Sequence, residues 1–219
     1  MNKKTKASFF IACASSVAFV AWTVMLLFVD VKPIGPDGSA VGFAALNGFV
    51  HNLTGVHYWL YTLTDWLGII PIAVAFGFAI LGLIQLIRRK SILKVDRSIL
   101  ALGAFYVAVI AVYVLFEILS VNFRPVLIEG RLEASYPSST TVLAICVMIS
   151  AKMQLKARIK NAVLNRIFCT LFILFTVFMV GARLACGVHW VSDVIGGILI
   201  SLGLVMLYNA FGKFELNTP

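Results

Sequence analysis

Three residues near the C-terminal end of the chain have the types and spacing to do chemistry: Arg183, His189 and Asp193, within GARLACGVHWVSD, residues 181–193. On a helix, His189 and Asp193 would share one face, a turn apart. A carboxylate so placed accepts a hydrogen bond from one ring nitrogen and fixes the tautomer. The other nitrogen is then free to act as base or nucleophile, and the ring is stabilised when it becomes positive. Arg183 adds a guanidinium suited to a bidentate grip on phosphate. Gly187 between them suits a tight turn.

A second polar stretch lies upstream, VNFRPVLIEGRLEASYPSSTT, residues 121–141. Arg124 and Pro125 open it, Arg131 follows, and Pro137, Ser138, Ser139 and Thr140 close it. A proline followed by hydroxyl residues is a good start for a helix, and the free N–H groups of such a start favour an anion. Arg124 and Arg183 together could hold a phosphate group. Phosphoryl transfer through a phosphohistidine fits this set of an anion cradle, arginine clamps and an oriented histidine.

The elements that must carry these residues are membrane helices. The chain has 219 residues, 61% hydrophobic and 12% charged, with a mean hydropathy of +1.01. A soluble domain carries about twice that charge. About 20 mostly apolar residues span a bilayer, and six segments qualify, roughly 8–29, 66–87, 98–119, 138–151, 167–186 and 190–211. The expectation is an all-α, six-transmembrane-helix bundle, residues 1–219 forming a single integral membrane domain. The first apolar run is longer than a signal-peptide core and lacks a small-residue cleavage site, so it reads as an uncleaved helix. Inside such spans ionisable groups are expensive and usually functional. The four cysteines form no CxxC pair and suggest neither a disulfide framework nor a zinc site.

The net charge of +9 would suggest nucleic acid in a soluble protein. Here its distribution points to topology. Of the 18 Lys and Arg, all but Lys32, Arg124, Arg131 and Arg183 fall in alternate connections or at the ends. The positive-inside rule makes that side cytoplasmic, with both termini inside. No nucleic-acid partner is expected; the surroundings this pattern implies are the bilayer. The three arginines on the outer side oppose the rule and need a local reason. The connection 30–65 is read as a turn-rich loop followed by an aromatic segment lying along the membrane surface, with His51 and His57 interfacial.

These features resemble the membrane-bound type 2 phosphatidic acid phosphatase family of lipid phosphatases. Its motifs are Lys-x6-Arg-Pro, Pro-Ser-Gly-His and Ser-Arg-x5-His-x3-Asp. The third is matched by ARLACGVHWVSD, the first survives as Arg124–Pro125 and the second as PSST. The resemblance covers about residues 98–211. It implies an active site at the extracytoplasmic face, His189 as nucleophile, Asp193 orienting it, and Arg124, Arg183 and Ser138 binding phosphate. Ser139, Thr140 and Arg131 are further candidates for the phosphate. No cofactor and no metal are implied.

The chain also departs from the pattern. Glu117 stands at the family's lysine, Ser139 and Thr140 at its glycine and histidine, and Ala182 at its serine. Losing a general acid–base group typically costs about 10²- to 10⁴-fold. Three explanations are open. The substrate has a good leaving group, as a prenyl diphosphate such as the undecaprenyl carrier of bacterial walls would. Alternatively Glu129, Glu133 or Tyr136 substitutes for the histidine, and Arg131 for the lysine's charge. Otherwise the protein binds a lipid phosphate, or transfers phosphoryl to an acceptor other than water, with little hydrolysis. The expected function is a metal-independent, multi-pass lipid phosphatase of a cell membrane, read as a bacterial plasma membrane. An unrelated transporter or structural membrane protein is the reading from outside the family. The lipid and the oligomeric state are left open by the sequence.

Overall fold

The computed structural model of the chain describes residues 3–212. It contains α1 (Lys3–Phe28), α2 (Ala44–Thr54), α3 (Tyr58–Leu67), α4 (Ile69–Arg89), α5 (Arg97–Leu119), α6 (Ser139–Arg158), α7 (Ala162–Ala185) and α8 (Val191–Phe211). Among the described residues six spans are long and apolar enough to cross a membrane: α1, α3 and α4 together, α5, α6, α7 and α8. Among the described residues β-structure is limited to isolated bridges.

Two spans differ from the sequence reading. The aromatic segment before residue 66 is not a separate surface element along its whole length. Its second half is α3, which packs against α7 and runs into α4 through Gly68, so Tyr58–Arg89 reads as one span of 32 residues. Gly68 has helical torsions, φ −58° and ψ −20°, and its N–H donates to Thr64 and Asp65 carbonyls at 3.1 and 3.0 Å. The backbone ladder therefore survives the junction. The fourth span is longer than expected, because α6 carries Lys152, Lys156 and Arg158 within its own final turns. Cations suit a helix C-terminus, and long basic side chains keep their heads in polar surroundings while the helix continues.

α1 and α8 run antiparallel in close contact. Asn209 donates to Ser8 at 2.9 Å near one end and Trp22 Nε1 to the Ser192 carbonyl at 3.1 Å near the other. Gly203 permits the approach, since a Cβ there would lie 2.9 Å from Ser16 Oγ. α6 is the central helix and touches α4, α5, α7 and α8.

The two ends of the bundle are chemically different. Lys213 lies outside the described residues, but the starts of α1 and α5, the ends of α4 and α6 and the start of α7 gather the other expected basic residues at one end. Buried Asp96 compensates two of them there. It accepts from Arg89 Nη1 and Gln85 Nε2, each at 2.9 Å, and lies 3.5 Å from Arg158 Nη2. A carboxylate withdrawn from water needs such partners.

At the other end, α2 closes over the start of α8 through Asn47, which is fully buried. Its amide donates to Gly42 O at 2.7 Å and Ser192 Oγ at 2.9 Å, and its carbonyl accepts from Ser192 N at 3.1 Å. Gly187 makes the turn from α7 towards α8. Its φ is +68°, and a Cβ there would meet Gly55 O at 1.8 Å. The 120–138 connection is a short hairpin, bridged at Phe123 with Ala134 and at Ile128 with Arg131.

Candidate active site

His189 sits in the turn before α8, between Gly187 and the N-cap Trp190. The expectation that His189 and Asp193 share a helical face is corrected: only Asp193 lies in the helix. Asp193 is the third residue of α8, where a carboxylate caps the free N–H groups. Its Oδ2 accepts from Trp190 N at 3.0 Å and its Oδ1 from Asn122 Nδ2 at 3.0 Å. His189 Nδ1 lies 3.7 Å from Asp193 Oδ2. That is an electrostatic contact, longer than a hydrogen bond.

The other ring nitrogen faces Arg124. Arg124 Nη1 is 3.3 Å from His189 Nε2. A guanidinium only donates, so this contact puts the lone pair on Nε2 and the ring proton on Nδ1, towards Asp193. Nε2 is then the nitrogen able to attack. Burial, Arg124 and Arg183 lower the pKa of His189 to about 4, against the opposing pull of Asp193. The ring is neutral at neutral pH, as a nucleophile must be.

Arg183 comes from the last turns of α7 and is 2% exposed. Its Nη2 donates to Thr140 Oγ1 at 2.6 Å and to Asp65 Oδ1 at 3.2 Å. Its Nε and Nη1 are buried without a partner, as is Asn122 Oδ1. Unpaired buried donors on a guanidinium are costly and leave room for an anion as partner. Arg124 Nε lies 3.0 Å from Glu133 Oε2. Both guanidiniums also face Tyr61, their Cζ atoms 5.7 Å (Arg124) and 5.0 Å (Arg183) from the ring centroid.

The sequence candidates divide by position. A cavity of about 790 Å³ is lined by His189, Arg124, Ser139 and Thr140, together with Glu117 and Glu133. Arg183 stands behind Thr140. Ser138 is fully buried outside that lining; its N–H donates to the Asp193 carbonyl at 3.1 Å and its Oγ accepts from Thr141 at 3.0 Å. It therefore ties α6 to α8. Arg131 is exposed at the hairpin turn, beside Glu129 (φ 49°) and Gly130 (φ 75°), away from the cavity lining. Tyr136 lines the cavity, but its hydroxyl bonds Thr23 at 2.7 Å and burial raises its pKa well above the usual tyrosine value.

Sequence reasoning did not find Tyr61, Asp65, Asn122 and Asn47. The first two were read as an interfacial segment, and only the fusion of α3 with α4 brings them beneath the arginines. Asn122 lies within the stretch 121–141, two residues before Arg124, yet nothing local marks an asparagine as the partner of an aspartate 71 residues away.

Away from the polar end, the cavity walls are apolar: Ile72 of α4, Val109, Val112 and Phe116 of α5, and Val142 and Leu143 of α6. The cavity thus joins a polar head that contains Arg124 and His189 to a greasy trough between three spans.

Residues 117–215 match the family model of the PAP2 superfamily, a stretch that contains Arg124, Arg183, His189 and Asp193. The fold is similar to the crystal structure of the first transmembrane PAP2 type phosphatidylglycerolphosphate phosphatase from Bacillus subtilis, with a TM-score of 0.63, 17% identity, and coverage of 96% of this chain and 100% of that one. No curated protein sequence matches the chain. The second half of the chain is thus similar to the PAP2 superfamily, and the whole chain has a multi-pass membrane fold like that of the Bacillus phosphatase. Tyr61 and Asp65 lie outside the matched stretch.

Proposed function

We propose that the protein is a lipid phosphatase that takes the phosphoryl group of a lipid phosphate onto His189 Nε2 and passes it to water. The observation that carries this is the continuity of one cavity from His189 and Arg124 to the apolar trough between α4, α5 and α6. A soluble phosphate ester would have no use for that trough; an acyl or prenyl chain would fill it.

On substrate binding, the phosphate displaces the Arg124 contact from Nε2 and takes the unpaired donors of Arg183. The N–H groups at the start of α6 add a positive dipole end. Nε2 attacks phosphorus, and Asp193 stabilises the ring as it becomes positive. Placing the site on the extracytoplasmic side follows from the charge distribution, which puts the opposite, basic end in the cytoplasm.

Thr140 favours a substrate with a good leaving group. Its hydroxyl already accepts from Arg183, and no titrating group occupies its place. A lipid diphosphate such as undecaprenyl diphosphate expels a phosphate monoester that needs no proton; phosphatidate expels an alkoxide that does. The same observation supports a second reading, a binder of lipid phosphate with little turnover.

Phosphate release by detergent-purified protein separates these. Undecaprenyl diphosphate, phosphatidate and phosphatidylglycerol phosphate are compared, with His189→Ala beside wild type. His189-dependent release at least tenfold faster from the diphosphate is expected. Equal rates would remove the leaving-group argument. No release from any lipid by folded protein would favour the binder.

A further inference from the structure

Transfer through His189 has a second half that the residues named so far do not complete. A water oxygen must form a bond to phosphorus while the P–Nε2 bond breaks and its electron pair returns to the ring. One proton of that water has to go to a base. Thr140 does not titrate usefully, and its oxygen accepts from Arg183. The Tyr136 hydroxyl is held by Thr23. Glu129 is exposed at the hairpin turn and does not line the cavity.

Two carboxylates do line it, Glu117 and Glu133. Only Glu133 is tied to the nucleophile. Its Oε2 lies 3.0 Å from Arg124 Nε, while Nη1 of the same guanidinium lies 3.3 Å from His189 Nε2. Carboxylate and nucleophile therefore meet at two positions on one guanidinium, the group that is to hold the phosphoryl oxygens. The Arg124 backbone N–H also donates to the Glu133 carbonyl at 3.0 Å, so the hairpin holds the two residues opposite each other. The Glu133 side chain is 41% exposed, which gives the proton an exit to solvent.

We propose that Glu133 is the general base that takes the proton from the water attacking phosphorylated His189. When phosphate occupies Arg124, the carboxylate is released from its ion pair and turns to that water. Water then donates one proton to Glu133, its oxygen bonds to phosphorus, inorganic phosphate leaves, and neutral His189 is restored. Glu133 afterwards loses its proton to solvent. This rests on the phosphohistidine reading above and supplies the function that Thr140 cannot.

The test is Glu133→Gln, which keeps shape and removes the base, with Glu117→Gln and His189→Ala in parallel. Purified protein is mixed with a lipid phosphate carrying ³²P in the transferred group. Glu133→Gln is expected to slow steady release by about 10²- to 10⁴-fold, and to accumulate acid-labile label on the protein where wild type shows only traces. Release by this variant should become insensitive to the leaving group. Hydroxylamine, which attacks without a base, should discharge the label and restore turnover. If Glu133 only positioned Arg124, KM would rise without accumulated label, and the proposal would be overturned. It would equally fall if Glu117→Gln, and not Glu133→Gln, trapped the label, or if Glu133→Gln kept turnover within tenfold of wild type. Turnover that survives His189→Ala would sink the phosphohistidine reading, and this base with it.

Discussion

At the scale of single residues, the unusual feature of His189 is that its environment keeps it neutral. Burial and two guanidiniums oppose the proton, and Asp193 at 3.7 Å only partly offsets them. In phosphate-free protein the ring titration, followed by ¹³C NMR of labelled histidine, is expected near pH 4; a midpoint near 6.5, the ordinary histidine value, would contradict it. Arg124→Ala should move the midpoint up and Asp193→Asn should move it down. Stability carries the same sign. Between the ordinary value and the depressed one, the unfolded chain binds a proton that the folded chain does not. Unfolding temperature should therefore fall as pH drops from about 6.5 towards 4, and less steeply in His189→Ala. Tyr61 makes a second residue-scale test. Tyr61→Phe keeps a ring against both guanidiniums and should leave KM within about threefold, whereas Tyr61→Ala removes contacts that such pairs make worth about 0.5–2 kcal/mol, and should raise KM more than it lowers kcat.

At the scale of elements, the site depends on two glycines that permit close approach. Gly187 combines a positive φ with Gly55 O at 1.8 Å from any Cβ. Gly187→Ala must push the α2–α3 link away and shift His189, so both unfolding temperature and phosphate release should drop. Gly196 faces the Tyr136 ring, whose Cε2 would lie 2.4 Å from a Cβ. That ring is boxed by Phe19 and Phe116 at centroid distances of 6.0 and 5.7 Å. Gly196→Ala should cost about 1–3 kcal/mol, as overpacking does, read as a lower melting temperature in detergent. The apolar cores of the spans were legible in the sequence because lipid demands long apolar runs. Their ends were less so. Tyr61 and Asp65 read as part of an interfacial connection ahead of a span starting near 66, yet the span reaches back to Tyr58 because Gly68 keeps helical torsions. Lys152, Lys156 and Arg158 read as a loop, yet a helix end tolerates them. The Arg–His–Asp spacing exposed the site, but the helical pairing inferred from it failed, because Gly187 turns the chain and Asp193 is used to cap α8.

At the scale of the whole molecule, one end of the bundle is basic and the other carries the candidate site. The sequence made this legible, since 18 Lys and Arg in a chain of 219 residues leave a clear asymmetry. Of the arginines that oppose it, Arg124 lines the cavity and Arg183 stands behind Thr140, and both face the Tyr61 ring. What the sequence could not convey is the contact made by α3, because Tyr61 and Asp65 meet Arg183 across 122 and 118 positions. If the site end is extracytoplasmic, Ala40→Cys, exposed in the first connection, should react with an impermeant thiol reagent on intact cells, in a background without the native cysteines. Reaction only after permeabilisation would reverse the orientation while leaving the chemistry intact. The central claim is the phosphoryl group on His189 Nε2, and rapid-quench trapping addresses it most directly. Wild type and His189→Ala are mixed with ³²P-labelled lipid phosphate, quenched in alkali and mapped. Alkali-stable, acid-labile label on the peptide containing His189, absent from the variant, is the expected result. Label elsewhere, or phosphate release undiminished in His189→Ala, would contradict the account.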